Sequence, residues 1–260
     1  MDFKTYLKRI QYDGPLQEDF QTLTDLYHKH LFAVPFEDLD IYYGIPVSLD
    51  KRDIYNKVVN NNRGGYCYEL NTLFCELLKY CNFHAWTISA QLVNGNKISP
   101  QNDHMAIVVA LKDQLWLLDA GYGDFAIRPL CISSALVQND TRCNYRISEV
   151  TIAGINYYGV DKWNKGLNAF KTEYLFTLEP AEVSAFIERH YYQQSASESH
   201  FVRNLVCTLP THNGRVSIIN NKLIITQDDI KRGMLLKEDI RILSLKQYFN
   251  ISFSIPVEAV

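Results

Sequence analysis

The order of the predicted secondary structure places this chain in the α+β class. Apolar residues fall at helical spacing through the first 83 residues, whereas from about Trp86 onward β-branched and aromatic runs alternate with polar turns. The last part mixes helical stretches with a hairpin. Helices first, strands in the middle and mixed elements last are typical of α+β proteins.

Three helices account for most of the N-terminal part. The first has apolar residues at Leu16, Phe20, Leu23 and Tyr27, with Asp13-Gly14-Pro15 as its start signal. The second is predicted in DKRDIYNKVVN and ends at the asparagines before Arg63. The third begins near Cys67, and its apolar positions are Leu70, Phe74, Leu77, Leu78 and Cys81.

The rest of the chain is predicted to be mostly strands. Strands are expected in WTISAQLV, HMAIVVAL, QLWLLDA, RISEVTIAGINYYGV and KTEYLFTLE, after which PAEVSAFIERHYY returns to helix. RVSIINNKLIITQ is interpreted as a hairpin that turns at Asn220-Asn221, because asparagine tolerates positive φ. LKEDIRILSLKQYFN is expected to form a closing amphipathic helix.

Composition gives no support for some classes of partner. The chain of 260 residues has 29 acidic and 26 basic residues, for a net charge of −3, which gives no electrostatic case for a nucleic-acid or anionic-membrane partner. MDFKTYLKRIQYDG lacks the apolar segment of a signal peptide, and no apolar run has spanning length. The six cysteines form no CxxC pair, so we expect reduced thiols in a cytoplasmic protein. We expect no metal, since His28 and His30 have no second pair at ligand spacing.

Cys67 lies in NNRGGYCYELN, directly before a predicted helix. Gly64 and Gly65 allow a tight turn or the close approach of another group. At a helix N-terminus the dipole and the free amides lower the pKa of a thiol and favour the thiolate. The position therefore suits a nucleophile, although an inert structural cysteine also fits it.

A base and an orienting carboxylate are available on a predicted hairpin. If Lys112-Asp113 forms a two-residue loop, Leu111 pairs with Gln114, and His104 and Asp119 become diagonal neighbours on one face. Such neighbours lie roughly 7–8 Å apart and within side-chain reach. A four-residue loop keeps them on one face, whereas a three-residue loop separates them. By itself, His104 also fits a hydrogen-bonded strand histidine and Asp119 a turn aspartate.

Several separate motifs in the same order resemble the arylamine N-acetyltransferase family. They are YLKRIQYDG, HLFAVPFEDLDIYYGIPVSL, RGGYCYELN, HMAIVV, WLLDAGYG and SASESHFVRNLVCTLPTHNGR, which together cover nearly the whole chain. The resemblance implies a helical bundle over residues 1–83, a β-barrel ending in an interdomain helix over 84–190, and an α/β lid over 191–260. It also implies a catalytic core like that of cysteine proteases and transglutaminases.

The resemblance assigns Cys67 as nucleophile, His104 as its base and Asp119 as the orienting carboxylate. It implies ping-pong transfer of an acetyl group from acetyl-CoA to an arylamine, arylhydrazine or hydrazide through acetyl-Cys67, by a monomer or homodimer. Phe36, Tyr122 and Phe201 match family positions around the acceptor, and core packing explains such aromatics equally well. The residues that contact CoA stay unassigned, since SASES lacks the proline that many relatives have before the final serine.

Two further points follow from the same motifs. Arg63 and Glu37 are hypothesised to pair and to fix the Cys67 helix to the preceding segment. The triad alone also fits a hydrolase or transglutaminase, or an acyltransferase with another acyl donor. A non-catalytic binding protein is disfavoured by the intact Cys-His-Asp set.

Overall fold

The computed structural model describes residues 1–228 and 230–255. Its α-helices are α1 (Phe3–Arg9), α2 (Phe20–Ala33), α3 (Leu39–Tyr42), α4 (Lys51–Tyr55), α5 (Cys67–Tyr80), α6 (Ile187–Ser195), α7 (His200–Arg203) and α8 (Glu238–Phe249). A π-helical turn (Asn56–Asn60) continues α4, and a 3₁₀ turn (Val183–Phe186) precedes α6. Within the same residues, no helix has both the length and the apolar character needed to cross a membrane.

The strands form two antiparallel sheets. They are β1 (Phe36–Glu37), β2 (His84–Asn94), β3 (Lys97–Ile98), β4 (His104–Leu111), β5 (Gln114–Leu118), β6 (Leu130–Cys131), β7 (Gln138–Asn139), β8 (Asn144–Ile152), β9 (Ile155–Asn164), β10 (Ala169–Pro180), β11 (Val206–Thr211), β12 (Gly214–Ile219), β13 (Lys222–Gln227) and β14 (Ile230–Leu235). The α+β class is confirmed.

The start of α2 differs from the prediction. The helix begins at Phe20 rather than after Asp13-Gly14-Pro15. Asp19 is its N-cap, and the carboxylate of Asp19 accepts a hydrogen bond from the Thr22 N–H at 2.7 Å. A side chain that satisfies a free amide of the first turn determines the start more strongly than a proline several residues earlier.

The central sheet curves into a nearly closed barrel. Its strand order is β6-β5-β4-β2-β10-β9-β8-β7, and β3 pairs with β2. The Gln138 side chain of β7 joins the two end strands, because its amide accepts the N–H of Cys131 at 2.7 Å and donates to the Cys131 carbonyl at 2.9 Å. A side-chain amide thus makes the two hydrogen bonds to β6 that the backbone of a paired strand would make.

The register of the β4–β5 hairpin agrees with the prediction. Leu111 pairs with Gln114 and Ile107 with Leu118, and Lys112 adopts a positive φ of 54° in the two-residue turn. The barrel therefore carries His104 at the start of β4 and Asp119 directly after β5, at the same end of the hairpin.

The second sheet has the order β1-β11-β12-β13-β14, and α8 packs beside it. The predicted β12–β13 hairpin is confirmed, with Ile219 paired with Lys222 around Asn220-Asn221. The short strand β1 comes from the N-terminal part of the chain but pairs with β11. We retain as a proposal that the chain forms three units with boundaries at residues 83/84 and 190/191. Strand β1 then belongs to the first unit and pairs with a strand of the third.

The largest core lies between the N-terminal helices and the barrel. Helix α5 supplies its centre with the apolar residues that sequence periodicity had selected: Leu70, Phe74, Leu77, Leu78 and Cys81 are all buried. Burial on this scale stabilises by roughly 1.5–3 kcal/mol per large apolar side chain. The core thereby fixes the N-terminal end of α5 against the β4–β5 hairpin.

Candidate active site

Cys67 is the first residue of α5, as expected. The turn before it depends on close approach rather than on positive φ, because a Cβ on Gly64 would lie 2.0 Å from the Pro35 carbonyl oxygen. Glu69 accepts a hydrogen bond from the Tyr66 N–H at 3.1 Å, which satisfies a free amide of the first turn. The side chain of Cys67 is buried.

Gly121 brings the segment after β5 onto Cys67. A Cβ at Gly121 would lie only 2.5 Å from the Cα of Cys67, so any larger residue would separate the two segments. This close approach becomes visible only in the fold, because Cys67 and Gly121 are distant in sequence.

His104 and Asp119 form a buried pair. The Nε2 of His104 lies 2.6 Å from the Oδ2 of Asp119, and both side chains are almost completely inaccessible to solvent. A carboxylate only accepts, so Nε2 carries the hydrogen and Nδ1 of the neutral ring keeps its lone pair. His104 lines the same cavity as Cys67.

The Asp119 carboxylate is held from its other side. Its Oδ1 accepts hydrogen bonds from the Asn71 amide and the Gly121 N–H, both at 3.0 Å. Sequence reasoning missed Asn71, although it lies four residues after Cys67 and so on the same face of α5. Helical spacing from the predicted nucleophile is the signal that could have found it.

Two buried tyrosines complete the surroundings of the pair. The Tyr27 hydroxyl accepts the N–H of Asp119 at 3.1 Å and lies 3.0 Å from its carbonyl oxygen, which fixes the backbone. The Tyr174 ring packs 5.3 Å from the His104 ring between centroids. Burial, followed by the negative charge of Asp119, raises the pKa of Tyr174, which therefore stays neutral.

The pKa of Cys67 departs from the sequence expectation. Burial raises the pKa of this thiol well above its usual value, and the carboxylates of Asp119 and Asp103 add to the effect. Backbone amides of Met105 and Tyr68 act in the opposite direction but are outweighed. The helix start by itself therefore does not produce a thiolate, and ionisation requires a nearby group that becomes positive when it accepts the proton.

All three predicted aromatic residues line the cavity that contains Cys67. This cavity has a volume of about 460 Å³, and Phe36, Tyr122 and Phe201 contribute to its walls. The Phe36 and Phe201 ring centroids are 6.3 Å apart, and Tyr122 meets His104 edge-on at 5.5 Å. The Tyr122 hydroxyl donates to Oε2 of Glu173 at 2.6 Å, a partner that the sequence did not suggest.

Polar side chains in the wall of the same cavity connect the residue before β4 to α6. Asp103 accepts a hydrogen bond from Nε of Arg189 at 3.1 Å, and its carbonyl accepts from the Gln193 amide at 2.9 Å. Ser199, the last serine of SASES, donates to the Gln193 carbonyl at 2.6 Å, and its N–H binds the Ala196 carbonyl at 2.9 Å. The SASES turn therefore closes without the proline.

The predicted Arg63–Glu37 pair is present. The guanidinium donates to both carboxylate oxygens of Glu37 at 2.9 and 3.0 Å and to Asp40 at 2.8 Å. Burial alone would raise the pKa of Glu37, but the charges of Arg63 and Lys57 lower it to about 2. Lys57 in turn binds Glu69 at 2.9 Å, which links this ion-pair network to the first turn of α5.

A buried thiol at a helix start, with a histidine–carboxylate pair on an adjoining antiparallel hairpin, defines an α+β protein with a cysteine-protease-like core. A family model described as N-acetyltransferase matches residues 19–258. The pineal gland arylamine N-acetyltransferase isozyme NAT-3 of Gallus gallus is 30% identical, over 97% of this chain and 94% of that protein. The chain belongs to the arylamine N-acetyltransferase family, whose members are acyltransferases.

Solved structures agree on the fold. The arylamine N-acetyltransferase of Mycobacterium abscessus superposes with a TM-score of 0.90 at 22% identity, covering 100% of this chain and 92% of that one. The Mycobacterium marinum enzyme in complex with CoA superposes with a TM-score of 0.87 at 24% identity, covering 96% and 93%.

Proposed function

We propose that this protein transfers an acetyl group from acetyl-CoA to the nitrogen of an arylamine, arylhydrazine or hydrazide through an acetyl-Cys67 intermediate. One observation carries the proposal: the Cys67 thiol, the His104 ring bound to Asp119, and three aromatic walls share one cavity. The names of the relatives and the CoA complex of the M. marinum protein support both substrates.

In the first half-reaction His104 takes the proton of Cys67. Because burial raises the thiol pKa, the thiolate forms only as a pair with the imidazolium, which Asp119 stabilises through Nε2. The thiolate attacks the thioester carbonyl carbon and forms a tetrahedral intermediate. The carbon–sulfur bond to CoA then breaks, and CoA leaves with the proton from His104, so that the acetyl group stays on Cys67.

In the second half-reaction the acceptor nitrogen attacks the acetyl-Cys67 carbonyl. Arylamines are weak bases and arrive neutral, so their lone pair is available without prior deprotonation. His104 accepts the proton that the nitrogen loses, the Cys67 sulfur leaves, and the amide is released. Phe36, Tyr122 and Phe201 provide flat apolar walls that suit a flat apolar acceptor.

The cellular setting is part of the proposal. Each of the six cysteines, all within the described residues, is a free thiol, and five of them are buried. Reduced thiols are typical of the cytoplasm, where we place the protein as a monomer or homodimer.

Steady-state kinetics with acetyl-CoA and aniline or phenylhydrazine tests the function. We expect an N-acetylated product and parallel lines in double-reciprocal plots, because CoA leaves before the amine reacts. The Cys67→Ser variant, which keeps the shape of the site, is expected to be inactive. CoA release at the same rate with and without amine would contradict the proposal and identify a hydrolase. No turnover of acetyl-CoA would contradict it too and indicate another acyl donor.

A further inference from the structure

A second cavity lies between the barrel and the second sheet, apart from the one that contains Cys67. Its volume is about 470 Å³, and the described residues that line it include none that line the first cavity. Basic residues from both sheets, from the segment before β8 and from the turn after β9 reach it: Arg142, Lys162, Lys165, Arg215 and Lys231. The chain as a whole has a net charge of −3, so such a local excess of positive charge is not a general property of its surface.

The two carboxylates among the described lining residues are already engaged. Asp140 accepts hydrogen bonds from three backbone amides, those of Ile127, Arg142 and Cys143, at 2.7–2.9 Å. Asp124 binds Lys162 at 2.8 Å and Arg215 at 3.1 Å. The loss of some surrounding water alone would raise the pKa of the exposed Asp124, but these two cations lower it to about 2. Both carboxylates are therefore already hydrogen-bonded, and the five basic residues outnumber them in the cavity wall.

Arg142 and Lys231 each have donors without a partner among the described residues. Arg142 donates one hydrogen bond, to the Gly214 carbonyl at 3.2 Å, and its buried Nε has no partner among the described residues. Lys231 is exposed on β14 and makes no hydrogen bond or ion pair within residues 1–228 and 230–255. A buried guanidinium donor without a partner is costly, and an anion would satisfy it.

We propose that this cavity binds a phosphate-bearing ligand through Arg142 and Lys231. A planar guanidinium forms two parallel hydrogen bonds to a phosphate, and a lysine adds a point charge. Trp163 and Tyr145 give the same cavity two aromatic walls, which suit a planar ring attached to the phosphate. The phosphate binding does not rest on the proposed acetyl transfer, since it needs neither the thiol nor the acetyl group.

Two ligands share this chemistry. One is the acyl donor itself: Tyr122 lines the first cavity and Asp124 the second, and they are only two residues apart on one loop. A long donor could therefore place its thioester at Cys67 and its phosphates near Arg142. The other is a separate phosphorylated molecule that regulates the protein.

Isothermal titration calorimetry with inorganic pyrophosphate and with CoA tests the proposal. The variants are Arg142→Gln and Lys231→Gln, and the matched control is Lys222→Gln, an exposed lysine of the neighbouring strand that does not line the cavity. Loss of one charge-assisted contact weakens phosphate binding roughly tenfold. We expect this tenfold weakening for Lys231→Gln, whose side chain is exposed, and not for Lys222→Gln.

The pattern across the two probes separates the sources. Weaker binding of both pyrophosphate and CoA in the variants assigns the cavity to the phosphates of the donor. Weaker pyrophosphate binding with unchanged CoA binding assigns it to a separate ligand. If the protein binds no pyrophosphate at millimolar concentration and the variants bind CoA like the parent, the proposal is wrong. The proposed acetyl transfer would not be affected by that result.

Discussion

Asn71 connects the helix that begins at Cys67 to the carboxylate that is hydrogen-bonded to His104. Its amide donates to Oδ1 of Asp119 at 3.0 Å, while its own oxygen accepts the N–H of Ala120 at 2.8 Å. It also reaches the Met105 carbonyl at 2.6 Å. One side chain on α5 therefore fixes both segments of the hairpin that carry His104 and Asp119.

Asn71→Leu is expected to slow acetylation of Cys67 about 10- to 100-fold, a part of the roughly 10²- to 10⁴-fold that a positioned base contributes. It is also expected to lower the free energy of unfolding by about 1–3 kcal/mol, because buried donors and acceptors lose their partner. Thr72→Val is the control, since the buried hydroxyl of Thr72 has one hydrogen-bond partner among the described residues, the sulfur of Met105 at 3.5 Å. An Asn71→Leu variant with parental acetylation rates would show that Asn71 does not position Asp119.

Asp119→Asn is expected to reduce acetyl transfer by about 10³- to 10⁴-fold with the fold intact. The new asparagine can turn its NH₂ group toward Nε2 of His104, and the hydrogen of the imidazole ring would then move to Nδ1. In the proposed mechanism Nδ1 must be free of hydrogen, because it accepts the proton of the thiol. Single-turnover CoA release measures the effect. Asp113→Asn, in the exposed turn of the same hairpin, is the control. Parental activity in Asp119→Asn would remove Asp119 from the proposed triad.

Arg63→Lys is expected to lower the free energy of unfolding at neutral pH by roughly 1–3 kcal/mol, because lysine cannot bind both oxygens of Glu37. The pKa of Glu37 is lowered to about 2, whereas the ordinary pKa of a glutamate is 4.5. The stabilisation is therefore complete above pH 4.5 and is lost as the pH falls toward 2.

Urea unfolding between pH 2.5 and 7 measures both parts of this prediction. The parent should lose more stability in acid than Arg63→Lys does, whereas Arg52→Lys, on the exposed side of α4, should follow the parent. If Arg63→Lys changed neither stability nor activity, the idea that this pair fixes α5 to the preceding segment would be abandoned.

Tyr122→Phe is expected to change the choice of acceptor without changing the first half-reaction. The substitution removes the hydrogen bond to Glu173 and makes this wall of the cavity wholly apolar. We expect kcat/KM for aniline, relative to an aniline with a hydrogen-bonding ring substituent, to rise about 3- to 10-fold. Tyr158→Phe, on the barrel and away from the cavity, is the control. An unchanged ratio would mean that the hydroxyl does not face the acceptor.

Local patterns were sufficient for much of the fold and for the core of the site. The register of β4 and β5 follows from a two-residue turn, and that register alone puts His104 and Asp119 within reach of each other. The buried face of α5 follows from helical periodicity. Both depend on neighbours in sequence, which a single chain displays directly.

Features that depend on distant contacts were not visible in the sequence. The close approach of Gly121 to Cys67 and the pairing of β1 with β11 arise only when separate segments pack together. The expected lowering of the Cys67 pKa considered the helix start but not the burial of the thiol, which is a tertiary property. The basic residues of the second cavity likewise come from both sheets, the segment before β8 and the turn after β9.

The most direct test of the central claim is intact mass spectrometry of the pure protein mixed with acetyl-CoA alone. We expect a gain of one acetyl group that maps to Cys67, is absent in Cys67→Ser and disappears when an arylamine is added. A protein that gains no acetyl group, or gains it at a residue other than Cys67, would contradict the proposed mechanism.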